Sequence, residues 1–220
     1  MRLAWPFLND TLLWTDGGIR TIVFENKPLL RQFLDMVHAQ ATGMDGELVL
    51  SERQQILDFS KAVELVTDPF SLPFSAKKLL SRLTQSAAEA AEPYGEELLS
   101  LVTQINALAS KICMGMEYHV TWNELDGFEE LLKLMGIRPD DANVPLPERV
   151  LEYCQFARGL LGKKLLVCYG LHACFSEEEF ELFCKEAVYR KFSLLLIEAV
   201  QPPRATGEEM IVIDRDLCVL

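Results

Sequence analysis

The stretch from Gly162 to Ala199 constrains the fold more than any other. Leu165–Tyr169 is a continuous apolar run behind a lysine pair. Ser176 follows, with Glu179 three residues on. That spacing is a capping box: the hydroxyl accepts the Glu179 N–H and the carboxylate accepts the Ser176 N–H. Phe180, Phe183, Cys184, Ala187 and Val188 then recur at helical spacing and form one apolar face. Ser193–Ile197 is a second apolar run, too short for a long helix. Strands without a polar face belong inside a parallel sheet covered by helices. The stretch therefore predicts a β-α-β crossover.

Around this unit, 220 residues, half of them hydrophobic and a quarter charged, suffice for a globular core. The net charge of −12 argues against a general nucleic-acid coat, because phosphate binding needs concentrated Lys and Arg. A local basic surface is still compatible with it. The six cysteines, Cys113, Cys154, Cys168, Cys174, Cys184 and Cys218, form no CxxC pair, so structural zinc is not expected. Met1–Asp10 has no signal-peptide cleavage pattern. No uncharged stretch is long enough to span a membrane. A cytoplasmic protein with reduced thiols is expected.

Along the chain, Asp16-Gly17-Gly18 lies between Leu12–Trp14 and Ile19–Phe24 and predicts an N-terminal hairpin. Pro28 opens a helix with apolar residues to Val37. Glu47–Leu50 and Ile56–Phe59 flank a polar ERQQ turn and predict a second hairpin; a helix across Ser51–Leu65 is the alternative. Val63–Thr67 is a short strand or the end of that helix. From Ser75 the texture turns helical. Ser75–Glu92 and Glu96–Tyr118 predict an antiparallel pair, and Asn123–Gly136 a shorter helix capped by Asn123. Asp140–Pro147 is a connector. Pro147 opens a helix that Gly162 ends. Met210–Ile213 and Leu217–Leu220, joined at Asp214-Arg215-Asp216, complete the sheet. The fold class is α/β, with a mixed, mostly parallel sheet. Residues 1–67 plus 143–220 make the head, and 68–142 an inserted α-helical domain.

Phosphate-loop chemistry fails on spacing. Gly159-Leu-Leu-Gly162-Lys163-Lys164 has its glycines too close, lacks the hydroxyl residue and precedes a strand rather than following one. His172 lies just past a predicted strand end, where open α/β sheets bind ligands. With Cys168 and Cys174 nearby it could serve a thiol or metal site; buried packing is the simpler account. The acid-rich segment Trp122–Glu130 matches a calcium loop only in part. Asp126 and Glu124 fall on ligand positions, whereas Trp122 stands where the first Asp belongs and Lys133 where the closing Glu belongs. Asn123, Glu124 and Asp126 are the candidate metal ligands, and helix-start acids are the simpler account. Basic side chains cluster at Lys77, Lys78 and Arg82, at Lys27 and Arg31, and at two strand starts. Such patches bind DNA weakly singly and better when subunits converge them.

Four collinear stretches carry a family resemblance: Thr21-Ile-Val-Phe-Glu25; Glu64-Leu-Val-Thr-Asp68 with Ser75-Ala-Lys-Lys-Leu-Leu; Lys163-Lys-Leu-Leu-Val-Cys168 with Ser176-Glu-Glu-Glu and Leu194-Leu-Leu-Ile-Glu198; and Ile213-Asp-Arg-Asp-Leu-Cys-Val-Leu220. Together they resemble the Csn-two family of small type II-A CRISPR-associated proteins. The resemblance implies a P-loop-NTPase-like head without Walker motifs, an α-helical leg and no catalytic activity. It implies a homotetrameric ring that threads the ends of linear double-stranded DNA, with structural calcium ions in the leg. It also implies a role in spacer acquisition beside the integrase proteins and the effector nuclease. Lys27, Arg31, Lys77, Lys78 and Arg82 are the DNA-contact candidates by local clustering, and Asn123 and Glu124 best parallel the family's acidic segment. The competing functions are a degenerate nucleotide hydrolase near His172 and a purely protein-binding scaffold.

Overall fold

The computed structural model describes residues 1–8, 10–140 and 143–220. Asn9 of the first apolar stretch and residues 141 and 142 of the connector lie outside the described residues. The chain divides into two compact units, Met1–Leu72 with Asp141–Leu220, and Pro73–Asp140.

The first unit holds two sheets. The small one is antiparallel, in the order β2 (Leu12–Leu13), β1 (Arg2–Ala4), β4 (Val49–Glu52), β5 (Gln55–Ile56). The large one is parallel throughout, in the order β6 (Val63–Val66), β7 (Leu165–Tyr169), β8 (Ser193–Glu198), β3 (Gly18–Phe24), β9 (Glu208–Ile213). The expected α/β class and β-α-β crossover are present. Helix α7 (Glu177–Tyr189) links β7 to β8 and starts on the Ser176–Glu179 capping box. Helix α6 (Leu146–Leu161) ends at Gly162 in the left-handed conformation. Leu165, Leu194, Leu195, Leu196 and Ile197 are fully buried. Each buried aliphatic side chain of this kind stabilises the fold by about 1.5–3 kcal/mol. One sheet face packs Ile22, Phe24, Val167, Leu195 and Ile197 into a core shared with α1 (Lys27–Ala41) and the small sheet. The alternate residues, Cys168 and Leu196 among them, face the side of α6 and α7.

The expected N-terminal hairpin is not formed. Leu12–Leu13 pairs with β1 in the small sheet, and Gly18–Phe24 runs parallel between β8 and β9. The glycines serve a close approach instead. Gly17 has φ +82°, and a Cβ there would meet the Lys191 backbone at 2.7 Å. The Gly18 N–H then donates to the Phe192 carbonyl at 2.7 Å. The second hairpin does form, as β4 with β5. A short helix, α2 (Phe59–Ala62), then leads directly into β6. Leu217–Leu220 adds only a bridge, Val219 opposite Ile213, with paired bonds between Val212 and Leu220.

A buried polar node ties β6 to α6 and the start of β7. Lys163 Nζ lies 3.2 Å from Glu64 Oε2 and donates to the Ser60 and Val63 carbonyls. The Tyr153 hydroxyl donates to Glu64 Oε1 at 2.5 Å. Lys163 thus anchors a strand entrance, whereas Lys164 reaches the surface and pairs with Glu52.

The second unit is helical: α3 (Lys77–Ala90), α4 (Gly95–Met114) and α5 (Phe128–Met135). Helix α5 packs on both α3 and α4, which make little direct contact with each other, so the expected antiparallel pair is bridged by α5 rather than closed on itself. It starts later than Asn123. Its N-cap is Gly127, because Leu125 is held extended. The Leu125 N–H donates to Asn106 Oδ1 at 3.0 Å, and Asn106 Nδ2 donates to the Leu125 carbonyl at 3.1 Å.

Candidate functional site

The place where a nucleotide-binding fold would carry its phosphate loop is occupied by a tight turn. Strand β3 ends at Phe24 and α1 begins at Lys27, leaving Glu25 and Asn26 between them. A Walker loop needs about eight residues with a glycine nest. Here Asn26 caps α1 by accepting the Leu29 N–H at 3.0 Å, and Pro28 sits in its first turn. Two residues, one of them capping α1 and the other donating its N–H to the Ile213 carbonyl at 2.9 Å, do not make a glycine-lined loop.

The candidate DNA contacts fall into two separate sets. Lys27 and Arg31 are exposed on the first turns of α1, and Arg31 faces Asp35 at 3.7 Å. Lys77, Lys78 and Arg82 are exposed along α3 in the helical unit. Arg82 donates to Gln85 Oε1 at 3.0 Å. A groove between α3 and the α5 end, about 860 Å³ in volume, brings Lys77 together with Lys133 and Arg138. Hydroxyls of Ser75, Ser81 and Thr84 line it too, and among the described residues Glu129 is its one lining carboxylate. Three cations and three hydroxyls in one concave surface are a chemically apt seat for phosphate oxygens. Lys133 and Arg138 were illegible as partners of Lys77 because they lie more than fifty residues away. Only the packing of α5 on α3 joins them.

The candidate metal ligands Asn123, Glu124 and Asp126 are exposed in the extended segment before α5. With Glu130 they line an open cleft of about 850 Å³. They are not gathered into a cage: among the described residues, no three His, Cys, Asp or Glu side chains converge on one point that could hold a metal. The Glu130 carboxylate already accepts the Asp126 N–H at 3.2 Å. Trp122 Nε1 is buried there without an acceptor, and a donor does not attract a cation. This arrangement does not fit the six to eight oxygens, roughly, that a calcium ion takes.

Past the carboxyl ends of the parallel strands lies a third assembly. Gly170 turns in the left-handed region after β7, and His172 follows in a short 3-10 turn. Its Nε2 lies 3.3 Å from Glu208 Oε1. The Thr21 hydroxyl donates to the same oxygen, and the Ala205 N–H donates to Oε2 at 3.0 Å. Burial would raise the Glu208 pKa, but the His172, Thr21 and Ala205 bonds outweigh it and hold the carboxyl below its ordinary value. The imidazole also lies against the Phe180 ring, tilted by 35° with centroids 3.6 Å apart. Cys168 is fully buried beneath, its thiol pushed up to about 12 by burial, which keeps it an unreactive hydrophobe. His172 is therefore part of a buried polar network. All six cysteines are free.

No helix among the described residues is long and apolar enough to cross a membrane. Among solved structures, the chain is similar to a putative ABC transporter (ATP-binding protein) from Pyrococcus furiosus. That match is 9% identical, covers 91% of this chain and 88% of that one, and has a TM-score of 0.38. The family model for the CRISPR-associated protein Cas_Csn2 matches residues 40–217. That span takes in the crossover, the helical unit and β9, and on it the chain belongs to the CRISPR-associated Cas_Csn2 family.

Proposed function

We propose that this protein is a non-catalytic double-stranded DNA-binding component of type II-A CRISPR adaptation, acting in spacer acquisition with the integrase proteins and the effector nuclease in the cytoplasm. Four copies form a ring, and linear DNA enters through its ends. The observation that carries the reading is the family match over residues 40–217. The tight β3–α1 turn supports the absence of nucleotide hydrolysis, since it offers no phosphate cradle. The groove holding Lys77, Lys133 and Arg138 supports phosphate contact. A net charge of −12 requires that such cations be concentrated, and a ring of copies concentrates them. Calcium belongs to this reading as the resemblance implies it; its binding would require the segment around Asn123, Glu124 and Asp126 to rearrange.

The test is gel retardation of linear and closed-circular DNA of equal length, with calcium and with chelator. Retention of the linear form alone, lost on chelation, is expected. Equal retention of both forms overturns end-threading. No retardation at low salt overturns DNA binding and leaves a protein-binding scaffold. Affinity should fall steeply with salt, the log–log slope being about −0.9 per phosphate neutralised. Lys133→Glu with Arg138→Glu should flatten that slope if the groove is used.

A further inference from the structure

Two buried glutamates of the parallel sheet, Glu198 at the end of β8 and Glu208 at the start of β9, have different surroundings. Glu208 receives three donors, from Thr21, His172 and Ala205, and its side chain is fully buried. It is a completed structural group. Glu198 ends β8 and is 5% exposed. It accepts the His172 backbone N–H at 3.2 Å, and no lysine or arginine pairs with it among the described residues. Rather than being closed over, it lines a cleft of about 520 Å³. A carboxylate buried without a countercharge is costly, and here the cost is incurred at the wall of a cavity.

The rest of the cleft is consistent with what would offset that charge. It is walled by Phe70, Tyr169, Val200 and Pro202, beyond the ends of β6, β7 and β8, with Asp68 at its side. Among the described residues no lysine or arginine lines it, and the Nε2 of His172, which does, is engaged by Glu208. Arg149 stands behind, donating to the Pro69 and Phe70 carbonyls at 3.3 and 3.2 Å. The volume falls in the range of small-ligand sites, roughly 300–1,000 Å³, and the carboxyl edge of a parallel sheet is where such sites form. Aromatic walls with a carboxylate at the base recognise an organic cation, through the ring faces and a charge-assisted hydrogen bond.

We propose that this cleft binds an alkylguanidinium or alkylammonium group, with its apolar stem against Phe70 and Tyr169 and its charge on Glu198. The group belongs either to a free small molecule or to an arginine or lysine side chain of a protein partner. The site lies wholly in the sheet-containing unit.

The experiment is calorimetric titration of the full-length protein with n-butylguanidinium and with n-butylurea, its neutral near-isostere. Saturable binding of the guanidinium is expected, with the urea at least about tenfold weaker, the scale of a hydrogen bond to a charged group. Glu198→Gln should reduce guanidinium binding by a similar factor. Val200→Trp, at a 77% exposed position on the cleft wall, should block entry without touching Glu198. A capped Gly-Arg-Gly peptide separates the sources: binding assigns the group to a protein side chain, and exclusion assigns it to a free cation. The proposal is overturned by the absence of saturable guanidinium binding up to about 10 mM, a Kd on the weak side of millimolar. Equal binding of the urea, or undiminished binding in both variants, overturns it as well.

Discussion

The sheet-containing unit and the helical unit treat apolar side chains in opposite ways. In the first, Leu194, Leu195, Leu196 and Ile197 are all fully buried, and even a lysine, Lys163, is enclosed with its glutamate. In the second, the longest helix buries Val102 alone among its residues, while Leu99, Leu108, Ile112 and Met114 are each more than half exposed. A helix draws most of its stability from packing of an apolar face rather than from propensity. The sheet unit therefore carries its own core. If copies of the chain assemble as proposed, the exposed stripe on α4 is the apolar surface to test as their contact, so stability in one unit and oligomeric state in the other should respond to different substitutions.

The largest effects belong to the enclosed pair. Lys163→Met leaves Glu64 uncompensated and should cost about 3–5 kcal/mol in urea unfolding. Lys163→Met combined with Glu64→Met should recover much of that loss. Arg82→Ala in α3, exposed and among the described residues bonded to Gln85 alone, should leave the midpoint nearly unchanged. A comparable loss from both single changes would erase the contrast between the units. Next in size, Leu195→Ala should cost about 2–5 kcal/mol through transfer and cavity terms. Leu108→Ala, measured in dilute protein, should stay within about 0.5 kcal/mol. If Leu108→Ala proves as costly as Leu195→Ala under those conditions, the stripe is packed within the single chain.

A third prediction sharpens the same contrast. Leu108→Glu and Ile112→Glu should lower the mass measured by light scattering while leaving the far-ultraviolet dichroism unaltered. Persistence of the full assembly in the double variant would remove α4 from the interface. The gel-retardation assay should then lose its preference for linear DNA, because a ring is required for threading.

What the sequence disclosed follows the same division. The crossover was legible because apolar runs, the capping box and the helix period all agree locally. The lack of Walker spacing was legible at Gly159–Lys164, but the role of the tight β3–α1 turn was not, because Ile19–Phe24 read as half of a hairpin. Gly17-Gly18 misled because a turn signal does not say what the glycine must avoid; its neighbour is Lys191, 174 residues away. The runs flanking it were the better guide, since Ile22, Val23 and Phe24 are buried in succession, without the alternation of a half-exposed hairpin. The late start of α5 was hidden because Asn106, on the preceding helix, supplies the hydrogen bonds that hold Leu125 extended. The setting of His172 was hidden for the same reason: Thr21 and Glu208 reach it only through strand order. The basic groove depends likewise on α5 meeting α3. Local chemistry announced the elements, and each candidate site depends on contacts between them.

The smallest effects, and the most discriminating for the sheet unit, concern pH. Glu208 has its folded pKa held below the ordinary 4.5. Such a group contributes stability that is fully present above its unfolded pKa and lost as pH falls through the folded one. Glu208→Gln should therefore be destabilising at neutral pH, and its gap to the wild type should close in acid, below 4.5. Glu198 is shifted the other way, raised first by burial and opposed by the His172 N–H. Its folded form holds a proton more tightly than the unfolded chain, so its ionisation on raising the pH through the folded pKa costs stability. Glu198→Gln removes that cost, keeps a carbonyl to accept the His172 N–H, and should be at least as stable as the wild type at neutral pH. Acidification should then favour the wild type relative to this variant, the reverse of the trend in net charge. The pair of profiles is measured by urea unfolding between about pH 3 and pH 8. Parallel profiles for the two variants would mean that the glutamates share one environment, and the distinction between a completed structural carboxylate and one left facing a cleft would fail.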